Sequence, residues 1–343
     1  MTTTDSGVAP ASGRRRALKT WSAFGNLGRR PTDYEIVTHN LNHTMREVPL
    51  EMGPDVHGNR WLIEHRDSTR LVVPDWDAFR DPDAVTYATY VAGQDDQETY
   101  VEGLLEQFDA AAYDESLSAE ALALLQSALT PSRYLAHGQL MLSAYLQQLA
   151  SSSYVSNCAA FQTADQLRRV QNTAYRTTQL RLTYPEAGFG SSERASWEDD
   201  PGWQPIRKAV ELALVEFDWD RAFVLTNLVV KPLADLLTLD QLSKQAGELG
   251  ATLDSLLLAN LLQDSLRSRR WTVALSNFIN EADPANRALL QEYLDEFAPL
   301  GHTMIVGGAQ VLARSGGRAE AEIAAEVSKA WSEFITDAGL RAS

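Results

Sequence analysis

A single cysteine, Cys158, occurs in 343 residues. One thiol excludes an internal disulfide, a zinc ribbon and a dithiol redox pair. Beside Asn157, Ala159 and Ala160 in a helical stretch, it is expected to be a buried, inert side chain. Histidine is scarce as well. The six are His39, His43, His57, His65, His137 and His302. None stands three positions after a glutamate, so the Glu-x-x-His pair of helical metal sites is missing. His39 and His43 have a spacing that can ligate zinc on a helix, but their segment reads as extended and supplies no third ligand. His137 is expected to be a hydrogen-bonded core or interface residue. There is no Gly-rich phosphate loop with lysine, no dinucleotide fingerprint and no Gly-x-Ser-x-Gly elbow. The longest apolar clusters, 225–230 and 256–262, are too short to cross a bilayer. The N-terminus lacks the apolar segment of a secretory signal. A cytoplasmic chain with no membrane partner is therefore expected.

Cations are also in short supply. Thirty Lys and Arg face 46 Asp and Glu, for a formal charge of −16. Such a surface repels phosphate backbones, so no nucleic-acid partner is expected. The exception is the first 30 residues. There Arg14, Arg15, Arg16, Lys19, Arg29 and Arg30 face Asp5 alone. Trp21, Phe24 and Leu27 add apolar anchors. This segment is expected to dock on an acidic protein surface. Its interface candidates are Arg14, Arg15, Arg16, Trp21, Phe24, Arg29, Arg30 and Tyr34.

What is present is a globular composition, 44% hydrophobic and 22% charged. Residues 1–85 read as an extended arm and docking segment. In it, Tyr34, Ile36 and Thr38 alternate with Glu35 and Val37, and Trp61, Ile63 and His65 with Leu62 and Glu64. This predicts a short β-hairpin. Residues 86–300 read as a helical domain, and 301–343 as a linker and last helix. The linker is suggested by Gly307, Gly308, Gly316 and Gly317. Val101, Leu104, Leu105 and Phe108 form one helical face. Pro232 predicts a kink or break. The Pro- and Gly-punctuated stretch 184–202 is expected to pack across helix ends.

The centre of the chain is 156–183, read as one long helix. Phe161, Ala164, Leu167, Gln171, Ala174, Tyr175, Thr178 and Leu182 form its predicted inward stripe. Gln166, Arg168 and Arg169 lie on or near that stripe, where each needs a partner. Glu98, Gln94, Gln97 and Gln171 are the expected partners of Arg169. Gln166-x-x-Arg169 has the spacing of a Glu-x-x-His pair, yet an amide and a cation cannot hold iron.

These stretches resemble the beta subunit of the hydroxylase in bacterial soluble di-iron multicomponent monooxygenases, in the toluene, alkene and isoprene branch. The resemblance is carried by KTWSAFGNLGRRPTDYEIVTHNLNHT from Lys19, DWDAFRDPDAVTYATY from Asp75 and QDDQETYVEGLLEQFD from Gln94. It continues in SRYLAHGQLMLSAYLQQ from Ser132 and SNCAAFQTADQLRRVQNTAYRTTQLRLTYPEAGFG from Ser156. DPGWQ from Asp200 and FDWDRAFVLTNLVVKPL from Phe217 complete it. Beyond Leu239 only helical character matches.

The resemblance implies an all-α, ferritin-like (ribonucleotide-reductase-like) bundle. It implies a paralogue that has lost its metal, since Gln166 stands where an alpha subunit has the ligand glutamate and Arg169 where it has the ligand histidine. No catalytic residue, cofactor or metal is then expected in this chain. The di-iron centre would lie in a partner alpha subunit. The implied assembly is a dimer of alpha-beta-gamma trimers, served by an effector protein, a Rieske ferredoxin and an NADH-dependent reductase, that oxygenates hydrocarbons. The missing Glu-x-x-His argues against a self-sufficient di-iron enzyme. The remaining alternative is a free-standing helical adaptor with no role in oxygenation.

Overall fold

The computed structural model describes residues 24–25, 27–39, 41, 55–66 and 68–342. Arg14, Arg15, Arg16, Trp21 and His43 lie outside the described residues. Among those described, the regular elements are helices and there is no strand.

The expected hairpin is instead two helices, α1 (Asp33–Thr38) and α2 (His57–Arg66). Thr32 caps α1 and Glu35 returns the bond, a reciprocal capping box whose T-x-x-E signature outweighs the alternation. In α2, Trp61 and His65 are one turn apart, with ring centroids 4.1 Å apart, and both meet Phe217. The stretch after α2 crosses the bundle with one short 3-10 turn, Trp76–Ala78, capped by Asp75. Asn286 clamps it, accepting from the Val72 N–H at 2.8 Å and donating to the Val72 carbonyl at 2.9 Å. Trp76 packs edge-on against Trp219, and Phe79 against Phe278.

The bundle proper begins with α3 (Tyr87–Ala110), capped by Thr86. A short α4 (Ala119–Leu124) runs into a π turn. Then α5 (Ser132–Gln148) and α6 (Ser153–Thr183) pair along their lengths. The next stretch holds α7 (Glu193–Asp199) and α8 (Gln204–Ala213). It packs across helix ends, where the indole of Trp203 donates to the Ser127 carbonyl at 2.9 Å.

The central helix is α9 (Trp219–Glu248), long and apolar enough to cross a membrane but buried throughout its apolar window. The expected break at Pro232 does not occur. A π turn over Val224–Val230 precedes it, and the Lys231 N–H reaches back to the Thr226 carbonyl. The widened turn accommodates the ring and the missing N–H without ending the helix. The helix α10 (Thr252–Ala282) follows, then α11 (Pro284–Ala313) and α12 (Glu320–Asp337). Gly307 and Gly308, expected to loosen the chain, lie inside α11, which runs unbroken through position 300. A Cβ on Gly307 would meet the Gly202 carbonyl at 2.4 Å, and one on Gly308 the Leu237 side chain at 2.5 Å. These glycines permit close packing.

Candidate functional site

Four helices, α5, α6, α9 and α10, enclose the core and place polar side chains in two stacked layers, one from each helix in the first and three from α9 in the second. In the first layer Gln162 and Asn227 exchange amide bonds of 3.1 and 3.3 Å. Gln162 also donates to Ser143 and Asn227 to Thr272. The second layer is charged. Arg169 on α6 donates to Asp235 on α9 at 3.2 Å, to Gln139 on α5 at 3.5 Å and to Thr238. Lys231, one turn before Asp235, pairs with the same carboxylate. Ser265 on α10 donates to it at 2.7 Å.

Asp235 is thus one carboxylate between two buried cations. Burial pushes its carboxyl upward, but Lys231 and Arg169 outweigh this and hold it below the ordinary carboxylate range. Arg169 is 2% exposed, and burial lowers its pKa against the pull of Asp235. The void beside Lys231 and Asp235 is about 10 Å³, close to the minimum for one water.

Outside this cell lies a crossed pair of ion pairs. Arg168 on α6 meets Asp264 on α10 at 2.9 Å, and Arg267 on α10 returns to Asp165 on α6. Both helices carry the pattern Asp-x-Leu-Arg, as Asp165-Gln166-Leu167-Arg168-Arg169 and Asp264-Ser265-Leu266-Arg267-Ser268. Ser265 and Ser268 therefore hold the places on α10 that Gln166 and Arg169 hold on α6. The sequence reading missed this second copy, although the repeated spacing signals it. Burial and the neighbouring Asp264 raise the Asp165 carboxyl to about 7, against Arg267 and the Tyr90 hydroxyl.

Two expectations are corrected here. First, Glu98, Gln94 and Gln97 do not meet Arg169. They reach Arg168, Asp264 and Asn260, and Gln171 faces outward. The partners of Arg169 come from α5 and α9. Second, the predicted inward stripe of α6 is largely its outer one. Leu167 is 48% exposed, Tyr175 56% and Leu182 74%. The buried side carries Gln162, Asp165, Gln166, Arg168, Arg169 and Arg176. Each arginine there has a carboxylate partner, Arg176 taking both Asp114 and Asp254. Paired charge made the polar face the one that could be closed from water.

The remaining predicted residues fall as follows. Tyr34 is buried against Tyr154 within the chain, so it presents no face to a partner. Arg29 grips Glu35 with two bonds of 2.8 and 2.7 Å, and Arg80 shares that carboxylate. Phe24 packs on His39, Arg30 is exposed and His137 lies on the surface of α5. Cys158 is buried, and burial raises its thiol well above the usual value.

The two-layer cell does not suit a pair of irons. Such a site takes a carboxylate from each of two helices and a Glu-x-x-His pair from each of the other two. Here those four helices supply amides, hydroxyls, two cations and one carboxylate. Among the described residues, no group of three or more His, Cys, Asp or Glu side chains is arranged to hold a metal ion.

The family model described as methane/phenol/alkene hydroxylase matches residues 61–283. The chain belongs to this hydroxylase family. The match runs well past Leu239, where the readable motifs ended, and takes in the second Asp-x-Leu-Arg copy. The chain is similar to the toluene-4-monooxygenase system hydroxylase component subunit beta of Ectopseudomonas mendocina. The two are 40% identical over 288 residues, covering 83% of this chain and 88% of that protein. It is also similar to the propane 2-monooxygenase hydroxylase component small subunit of Mycolicibacterium smegmatis, at 25% identity over 82% of this chain and 77% of that one. Among solved structures, toluene 4-monooxygenase with toluene in its resting active site aligns with a TM-score of 0.80 at 39% identity. The alignment covers 87% of this chain and 99% of that chain. Phenol hydroxylase from Pseudomonas sp. OX1 shares the fold, with a TM-score of 0.79 at 22% identity over 99% of both chains.

Proposed function

We propose that this chain is the beta subunit of the hydroxylase component of a multicomponent monooxygenase, and that it scaffolds the oxidation site without containing one. The observation that carries this is the charged layer around Asp235. Where a metal-bearing paralogue would present carboxylates and imidazoles, this chain presents Gln166, Arg169, Ser265 and Ser268. Arg169 and Lys231 together oppose any cation entering the cell. The 40% identity to a hydroxylase beta subunit supports the same reading.

On this reading the di-iron centre belongs to a partner alpha subunit, and no cofactor is bound here. The assembly is a dimer of alpha-beta-gamma trimers in the cytoplasm, fed with electrons from NADH through a reductase and a Rieske ferredoxin and tuned by an effector protein. It inserts one atom of dioxygen into a hydrocarbon of the aromatic, alkene or isoprene type. The basic segment with Arg14, Arg15, Arg16 and Trp21 lies against the alpha subunits. The polar layers replace the stabilisation that metal ligation would give and lock the register of four helices.

The test is co-expression with the neighbouring hydroxylase genes, followed by metal analysis of the separated chains. Iron is expected in the complex and absent from this chain. Two irons bound by this polypeptide alone would overturn the scaffold reading. Failure to co-purify with a larger subunit would favour a free-standing adaptor.

A further inference from the structure

Three arginines, Arg267, Arg269 and Arg270, sit close together on α10. Arg267 is bound to Asp165 and Arg270 to Asp83. Arg269 differs from both. Among the described residues no carboxylate or carbonyl accepts a bond from it. Its guanidinium lies over the Phe334 ring, 5.1 Å from the centroid. Burial lowers its pKa, with Asp235, Asp240 and Asp337 acting against that from a distance. A guanidinium carries five donors and stays charged at neutral pH. Half-buried at an open groove, its free donors are left to water or to an acceptor that arrives from outside.

The same residue forms part of a surface groove of about 780 Å³ between α10 and α12. Its floor is apolar: Leu266, Val273 and Ala274 from one helix, Ala330 and Phe334 from the other. The volume lies within the usual range for a small-molecule site, and an apolar floor with one directed polar group is the usual pattern. Glu333 and Asp337 stand at the rim. They disfavour a ligand of high negative charge, such as a nucleotide, while a single carboxylate can be matched by the planar fork of Arg269.

We propose that this groove binds a small monocarboxylate with a hydrocarbon body, its carboxylate on Arg269 and its body on the apolar floor against Phe334. Arg269 also borders the small void beside Lys231 and Asp235, so the groove adjoins the charged layer of the core, but the proposal does not depend on the scaffold reading.

The test is a fluorescence titration of the full chain with 2-naphthoate, with 2-naphthylmethanol as the uncharged control. Naphthoate is expected to bind saturably at one site. Arg269→Gln is expected to weaken it about tenfold or more, the loss of a charge-assisted bond, and to leave the alcohol within about twofold. Arg269→Lys, which keeps the charge and loses the fork, should fall between. Ala274→Trp fills the floor and should abolish binding of both. Circular dichroism of each variant separates lost binding from lost fold. Naphthoate binding unchanged in Arg269→Gln or in Ala274→Trp, or no saturable binding to the unmodified chain, would overturn the proposal.

Discussion

Asp235 is the acceptor that balances two buried cations, which makes its removal and the removal of one cation unequal. In Asp235→Asn, Arg169 and Lys231 face each other without a counter-charge, and Ser265 loses its charged acceptor. Breaking a buried pair from one side costs about 3–5 kcal/mol. One carboxylate serves both cations, so the upper end of that range, about 5 kcal/mol, is the expected ceiling. In Arg169→Met, by contrast, Lys231 still neutralises Asp235. A linear side chain fills much of the space, and the cost is about 2 kcal/mol, chiefly the unpaired Gln139, since Thr238 still donates to the Ala234 carbonyl. At 343 residues the unfolding entropy is on the order of 0.7 kcal/mol/K. The corresponding falls in melting temperature are about 7 °C and about 3 °C. Thermal scans of both variants at one scan rate measure the difference. A larger fall for Arg169→Met than for Asp235→Asn would refute the argument that Asp235 neutralises both cations.

Three further outcomes are expected. The double variant Gln166→Glu/Arg169→His restores one ligand pair only and should take up no iron. Adding Ser265→Glu, Ser268→His and Lys231→Met should give measurable cobalt or iron uptake by elemental analysis, and uptake by the double variant alone would contradict the role assigned to α10. Asp165 holds its proton more tightly folded than unfolded, so between about pH 4 and about 7 stability should fall as pH rises. The full penalty, on the order of 2–4 kcal/mol, is present above that window, and urea midpoints should show a flatter pH slope in Asp165→Asn. Replacing Arg14, Arg15 and Arg16 with glutamate should weaken capture of the large subunit in a pull-down while leaving the helical spectrum unchanged. Equal capture would remove the arm from the interface.

Much of the fold was legible because helical periodicity survives in single sequences. The apolar spacing placed the long helix at 156–183, and the Ser152 cap starts it earlier, at Ser153. The errors share a cause. The alternation at Tyr34–Thr38 was read as a strand although Thr32 and Glu35 already spelled a capping box. The glycines at 307 and 308 were read as flexible because their partners, Gly202 and Leu237, are remote in sequence. The outer apolar stripe of α6 was read as inner because hydrophobicity counts residues and ignores pairing. Arg168 and Arg169 could be seen to need partners. Which partners they would find could not be seen.

A helical chain without Glu-x-x-His, with an amide and an arginine at that spacing, can be read from the order of residues alone. Those properties depend on local chemistry and short-range periodicity. The closing of Asp235, Lys231, Ser265 and Gln139 around Arg169, and the exchange of arginines between Asp165 and Asp264 across two helices, come from the packed bundle. Such pairings join residues as much as 102 positions apart. They exist because a buried charge must find its opposite wherever the packed helices bring one within reach.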